Sequence, residues 1–313
     1  MTLCVNPSCN TESNREADRF CRVCGSELLL RSRYRPVRFI GEGGFGRTFL
    51  AVDQGQTSPQ KCVVKQLSER TNVEGNREAK QLFETEALRL QQVGGHPRIP
   101  MLLDHFEQAG HQYLTQEYID GWDLEAELAA EGRFDENKIW QVLVEVSAIL
   151  RFVHERQIIH RDIKPRNIMR QRRGGHLVLI DFGVAKLLEQ SDLKTGTLVG
   201  SPEYMAPEQV QGKVVDSSDL YSLGVTCVYL LSGRSPLELY SSANDFWYWR
   251  EALPQGAQVG HRLGAILDRL LETPLENRFR SAKDLSFHLM ACQVERNSQA
   301  DAASSAQAAS GPL

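Results

Sequence analysis

The stretch IIHRDIKPRNIM, residues 158–169, sets a run of charged residues and an asparagine between two apolar pairs, Ile158 with Ile159 and Ile168 with Met169. The segment before it, NKIWQVLVEVSAILRFVHER at 137–156, has the spacing of an amphipathic helix. The segment after it, HLVLIDFG at 176–183, is compact and β-like. The charges therefore lie on a loop whose apolar flanks are pinned in a core. A loop held at both ends positions side chains well.

Towards the N-terminus, YRPVRFIGEGGFGRTFLAVD at 34–53 alternates apolar and polar residues around a glycine cluster, and KCVVKQL follows at 61–67. These predict a hairpin and a third strand. AKQLFETEALRLQQV at 79–93 places Leu82, Phe83, Ala87 and Leu90 on one helical face, and further strands are predicted at 101–108 and 112–119. Towards the C-terminus helices dominate. DLYSLGVTCVYLLSG at 219–233 is apolar all round and predicts a buried helix, and SAKDLSFHLMACQV at 281–294 opens with a capping pair, Ser281 and Asp284. Strands first and helices after indicate an α+β protein of two lobes. From Asn297 to Leu313 the chain is rich in Ala, Ser and Gln without periodicity, the composition of a disordered tail or linker. There is no internal repeat.

With 313 residues, 41% of them hydrophobic, the chain can bury one sizeable core or two adjacent ones. A net charge of -4 with both signs interspersed argues against nucleic acid as a partner. The longest apolar run, Leu220 to Leu231, is too short to span a bilayer, and MTLCVNPSCN has neither the basic start nor the apolar stretch of a secretory signal. A cytoplasmic protein without a membrane anchor is expected; oligomeric state is not legible. Four of the seven cysteines, Cys4, Cys9, Cys21 and Cys24, fall in the first 24 residues, whereas Cys62, Cys227 and Cys292 stand among apolar neighbours as core residues. Two thiol pairs in a reducing compartment suit tetrahedral zinc better than disulfides, and so short a segment needs such a staple to fold. The rival reading is a redox dithiol switch.

Asp162, Lys164 and Asn167 stand at spacings that resemble the catalytic loop H-R-D-x-K-x-x-N of protein kinases, and Asp181-Phe182-Gly183 resembles the metal-binding D-F-G. Gly41, Gly43 and Gly46, with Gly44 and Phe45 between them, resemble the Gly-rich loop, here flanked by strands on both sides. Lys65 matches the third-strand lysine, Glu86 its helix partner, and Ala206, Pro207 and Glu208 the A-P-E. The resemblance runs from Tyr34 to about Cys292, in family order, and implies a small lobe over about 34–118 and a large lobe over about 119–292, preceded by a ribbon over residues 1–30. It is strongest with bacterial, especially cyanobacterial, eukaryotic-like serine/threonine kinases that carry such a ribbon.

The resemblance implies ATP and magnesium or manganese as cofactors, with protein Ser/Thr hydroxyls as acceptors. Lys65 would pair the α- and β-phosphates under the guidance of Glu86, Asp181 and Asn167 would ligate the metal, Asp162 would orient the acceptor hydroxyl, and Lys164 would steady the transferred phosphate. Gln116 falls at the gatekeeper position, Glu117 and Ile119 at the adenine-facing backbone, Asp123 at the ribose, and Thr48 in place of the usual valine keeps a β-branched residue over adenine. Ser201 stands where the family has a threonine facing Asp162, and Arg161 beside Asp162 implies control by phosphate on Thr197 or, less favoured, Thr195. His160 is expected in a core spine with Phe182, Leu90 and Asp219 rather than as a base, Glu208 and Arg278 as a buried ion pair, RRGG at 172–175 as a turn, and DFWYWRE at 245–251 as lobe filling rather than a docking site. Two alternatives stand beside this reading: a pseudokinase scaffold, which would usually lack one of Lys65, Glu86, Asp162, Asn167 and Asp181, and a small-molecule phosphotransferase of the aminoglycoside kinase type, a class without the A-P-E segment present here.

Overall fold

The alternating stretch at 34–53 folds as an antiparallel hairpin of β1 (Tyr34–Gly43) and β2 (Gly46–Asp53), with register shifts in β1 between Pro36 and Arg38 and between Phe39 and Gly41. The computed structural model describes residues 1–9, 11, 14–43, 46–67, 73–182, 202–255 and 259–293, and the chain divides into two units. The first holds Met1–Gly121 with short described segments at Gln171–Arg173 and Ile180–Phe182. Its sheet adds β3 (Gln60–Leu67), β4 (Leu102–Gln108) and β5 (His111–Glu117) in the order β1-β2-β3-β5-β4, antiparallel throughout. Helix α1, Val73–Val93, packs on β3, β4 and β5 and starts earlier than its apolar periodicity at 79–93 predicts, because VEGNRE continues the helix without an apolar face.

One face of this sheet buries Tyr34, Phe49, Ala51, Cys62, Val64 and Tyr113, and Leu3, Val5 and Leu30 from the N-terminal segment complete the same cluster. Leu3 also donates its amide to the Pro36 carbonyl (3.0 Å). The other edge is tied by Arg31, which meets Asp104 at 2.5 Å and donates its amide to Gln108. The N-terminal segment therefore shares a core with the sheet.

In the second unit, α2 (Leu124–Glu131) and α3 (Glu136–His154) each begin on an aspartate, Asp123 and Asp135, whose carboxylate accepts an amide of the first turn. Strands β6 (Gly121–Asp123), β7 (Ile168–Gln171) and β8 (Leu177–Leu179) form a small sheet in which the predicted turn at 172–175 joins β7 to β8. The helix Asp216–Ser232 is buried almost all round, as its composition predicts, and packs on α3 and on the helix His261–Leu270. A β-carbon on Gly224 would stand 2.8 Å from that of Leu270, so glycine is what lets those two helices meet. The helix over 282–293 is capped by Ser281, which accepts the Asp284 amide, while the Asp284 carboxylate takes the amide of Arg280, one residue outside the predicted box.

The aromatic run 245–251 fills the lobe only in part. Trp249 is buried, Trp247 pairs in a two-stranded ladder with Tyr240, and Phe246 is about half exposed. Cys62 and Cys227 are buried core thiols as expected, and Cys292 is only partly covered. No helix among the described residues is long and apolar enough to cross a membrane.

Candidate active site

Lys65 lies on β3 opposite Thr48 on one side and Leu114 on the other, a central-strand position that holds its stem rigid. Its Nζ stands 2.6 Å from Oε1 of Glu86 on α1 and 2.5 Å from Oδ1 of Asp181. Burial alone would push the ammonium pKa down, but the charges of Asp181 and Glu86 outweigh it and hold the pKa above the ordinary lysine value. Lys65 is thus a fixed, desolvated cation clamped by two carboxylates. Asp181 adopts φ 57°, the left-handed region, which aspartate tolerates better than most residues.

In the second unit the charged loop gathers around Asp162. Oδ2 of Asp162 accepts from Nδ2 of Asn167 (2.8 Å) and meets Nζ of Lys164 at 2.8 Å; the same Asn167 nitrogen also reaches the Asp162 carbonyl at 2.8 Å. Pro165 opens a 3-10 turn, Pro165–Asn167, that brings Asn167 round to Asp162. The preceding residue, Arg161, has φ 70°. That backbone is held from both sides, because Asp219 accepts the amides of His160 and Arg161 (2.8 Å each) and Gln209 donates to the Arg161 carbonyl (2.7 Å). Asp219 is held in turn by Nε2 of His154 at 2.8 Å. Among the described residues, Nε and Nη1 of Arg161 are buried without a hydrogen-bond partner, and burial pushes its pKa down.

The predicted residues thus come together in two groups, Lys65, Glu86 and Asp181 in the first unit, and Asp162, Lys164 and Asn167 in the second. His160, Leu90 and Phe182 are all buried, as a spine role requires. Gln116 is buried on β5, and the Glu117 amide is committed to the Met101 carbonyl. Asp123 spends one carboxylate oxygen on the cap of α2. Glu208 and Arg278 form the expected buried pair at 2.8 Å. Gly44, Phe45, Thr195, Thr197 and Ser201 lie outside the described residues. Three participants were not foreseen: His154, Gln209 and Glu127, the last buried and holding both Lys138 (2.8 Å) and Arg170 (2.7 Å) between α2, α3 and β7. Each is an ordinary polar residue of a helix, with no motif to mark it.

At the N-terminus the four predicted cysteine sulfurs lie within 4.8 Å of one another, with Cys4 to Cys24 at 3.6 Å and Cys9 to Cys21 at 3.7 Å. Four thiolates about 2.3 Å from a central ion would be about 3.8 Å apart, so the cluster has the dimensions of a tetrahedral metal site. Gly25, at φ 75°, donates its amide to the Cys21 carbonyl (2.9 Å) and turns the chain back past Cys24.

The model of the protein kinase domain matches residues 34–295, and the chain belongs to the protein kinase family. It is 38% identical over 296 residues to serine/threonine-protein kinase B of Synechocystis, covering 91% of this chain and 51% of that protein. It is 37% identical over 270 residues to serine/threonine-protein kinase PknA of Nostoc, covering 83% and 47%. The chain spans about half the length of these curated relatives. Among solved structures, the apo form of PpkA-294 aligns with a TM-score of 0.71 at 21% identity, over 89% of this chain and 100% of that one, and the PknI kinase domain of Mycobacterium tuberculosis with 0.61 at 24%, over 83% and 96%. These two share the fold, with its β-sheet small lobe and helical large lobe.

Proposed function

We propose that the chain transfers the γ-phosphate of ATP to Ser or Thr hydroxyls of proteins. The observation that carries this reading is the clamp of Lys65 between Glu86 and Asp181, a buried cation already aimed by one carboxylate and paired to the other. Lys65 binds the α- and β-phosphates, and Glu86 keeps it in direction. Asp162, fixed by Asn167 and Lys164, orients the acceptor hydroxyl, and Lys164 neutralises the phosphate in transfer. Gly41, Gly43, Gly46 and Thr48 line the nucleotide, with Gln116, Glu117, Ile119 and Asp123 around adenine and ribose. The Asp123 cap leaves its second oxygen for the ribose.

Magnesium or manganese prefers hard oxygen donors. Asp181 offers a carboxylate, and Asn167, with its nitrogen spent on Asp162, offers its amide oxygen. The bound metal supplies charge neutralisation on the phosphates. Four convergent thiols of the right dimensions favour structural zinc on Cys4, Cys9, Cys21 and Cys24, and a reducing, cytoplasmic setting suits them. Nε and Nη1 of Arg161, buried without a hydrogen-bond partner among the described residues, support control by phosphorylation at Thr197.

Asp162→Ala should bind magnesium nucleotide like the wild type and lose nearly all transfer to a generic protein substrate. Equal turnover by the two proteins would refute the assignment.

A further inference from the structure

Arg47, the residue that follows the last glycine of the Gly-rich turn, is buried to 7% exposure. Its guanidinium carbon stands 4.9 Å from the ring centre of Phe49 and 5.8 Å from that of Phe39, and its Nη1 donates to the carbonyl of Val5 at 3.2 Å. Val5 is the neighbour of Cys4. On the opposite strand, Leu3, the other neighbour of Cys4, donates to the Pro36 carbonyl at 3.0 Å. One cysteine of the cluster is thus flanked by two residues, one bonded to β1 and the other to β2.

The hairpin so stapled pairs Gly41 with Thr48, Glu42 with Arg47 and Gly43 with Gly46, so Arg47 and its partner Glu42 stand between the pairs assigned to the nucleotide. Its own ladder is interrupted twice, between Pro36 and Arg38 and between Phe39 and Gly41. Interrupted ladders bend and twist, and their course is set by what packs against them. Here that neighbour is the cysteine segment, because Leu3 and Val5 share the cluster of Tyr34 and Phe49. A buried guanidinium demands acceptors, and the Val5 carbonyl is one that ties Arg47 to the cysteine segment, so movement of that carbonyl disturbs Arg47.

We propose that Arg47 is a positioning residue that carries the metal state of the cysteine cluster to the nucleotide-binding hairpin. With zinc bound, Cys4 is fixed, the Val5 carbonyl holds Arg47, and Gly46 and Thr48 stand ready for ATP; with zinc removed the staple slackens and nucleotide affinity falls. This rests on both readings given above, the zinc site and the nucleotide site.

The test is a calorimetric titration of the full chain with a non-hydrolysable ATP analogue and magnesium, before and after removal of zinc by a chelator, in wild type, Arg47→Met and Arg47→Lys. Stripping should weaken analogue binding to the wild type about tenfold, the factor expected from losing one charged hydrogen bond. Arg47→Met should keep its zinc, bind the analogue about tenfold more weakly from the outset, and show no further response to stripping. Arg47→Lys, which can still donate to Val5, should regain most of the response. A role for zinc confined to folding would instead weaken all three proteins in parallel, and that result overturns the proposal, as does a wild type whose affinity ignores stripping. Elemental analysis separates the causes of failure: no zinc in the purified wild type defeats the metal reading and the coupling with it, whereas one zinc per chain with unchanged affinity defeats the coupling alone. Failure of every form to bind the analogue defeats the nucleotide reading instead.

Discussion

His154 and Asp219 meet at 2.8 Å, and the same Asp219 carboxylate receives the amides of His160 and Arg161, so a histidine at the end of α3 steadies the backbone beside Asp162. Burial lowers the His154 pKa, but the Asp219 hydrogen bond and charge more than reverse this and raise it above its ordinary value. A histidine raised on folding adds stability that is complete below its unfolded pKa of about 6.5 and disappears as pH rises through the folded value. The unfolding free energy of wild type over His154→Gln should therefore be largest near pH 6 and shrink as the pH is raised. Urea melts across that range check it; a difference that grows with pH would contradict the pairing.

Arg278 is fully buried and donates to Glu208, Ser217, Glu272 and Thr273. Arg278→Met leaves Glu208 buried without its cation and should cost about 3 to 5 kcal/mol. The double variant Arg278→Met with Glu208→Leu should recover part of that loss, because neither charge is then stranded. Chemical denaturation of the three proteins gives the comparison, and equal stability of single and double variants would count against a paired charge.

Lys65→Met should reduce phosphoryl transfer by about two to three orders of magnitude, the usual loss when a charge-stabilising donor is removed. Glu86→Gln keeps Lys65 but loosens its aim, so a smaller fall is expected. Combining them should cost little more than Lys65→Met alone, since Glu86 acts through Lys65. Steady-state kinetics of the single and double variants would reveal independent roles as multiplied losses.

Cys21→Ser with Cys24→Ser should abolish metal binding. Because Leu3 and Val5 lie in the cluster of Tyr34 and Phe49, the loss should also lower the melting temperature of the sheet, beyond fraying the first 30 residues. Hydrogen exchange at β1 and β2 is the discriminating readout: unchanged protection there would show the two to be energetically separate.

Phosphate on Thr197 would add about -1.5 to -2 charges for Arg161 to meet. Autophosphorylated protein should carry it, and Thr197→Ala should lower activity while Arg161→Ala removes the benefit of phosphorylation. Mass mapping of a fully active sample without phosphate at Thr197 or Thr195 would exclude this control.

The site was legible where chemistry demands a residue type at a fixed spacing: Lys65, Asp162, Asn167 and Asp181 are all in the sequence motif, and the apolar helix at 219–233 could be read as buried from composition alone. Packing partners were not legible. His154, Gln209 and Glu127 act through contacts with residues 65, 48 and 43 positions away, respectively Asp219, Arg161 and Arg170, and nothing in a linear spacing encodes such pairs. The start of α1 was missed because its first residues carry helix without an apolar stripe, and the limit of β5 because Tyr118 and Ile119 continue an apolar alternation after ladder pairing has ended at Glu117.

The family match begins at Tyr34, yet the fold does not. A protein trimmed to the family boundary would present Tyr34, Phe49 and Ala51 to water where Leu3 and Val5 had covered them, and would leave Arg47 without the Val5 carbonyl. Such a fragment should aggregate or cling to other apolar surfaces. Homology and packing therefore draw different borders on this chain: the family match starts at Tyr34, whereas the core of the sheet reaches back to Leu3, ahead of the first cysteine.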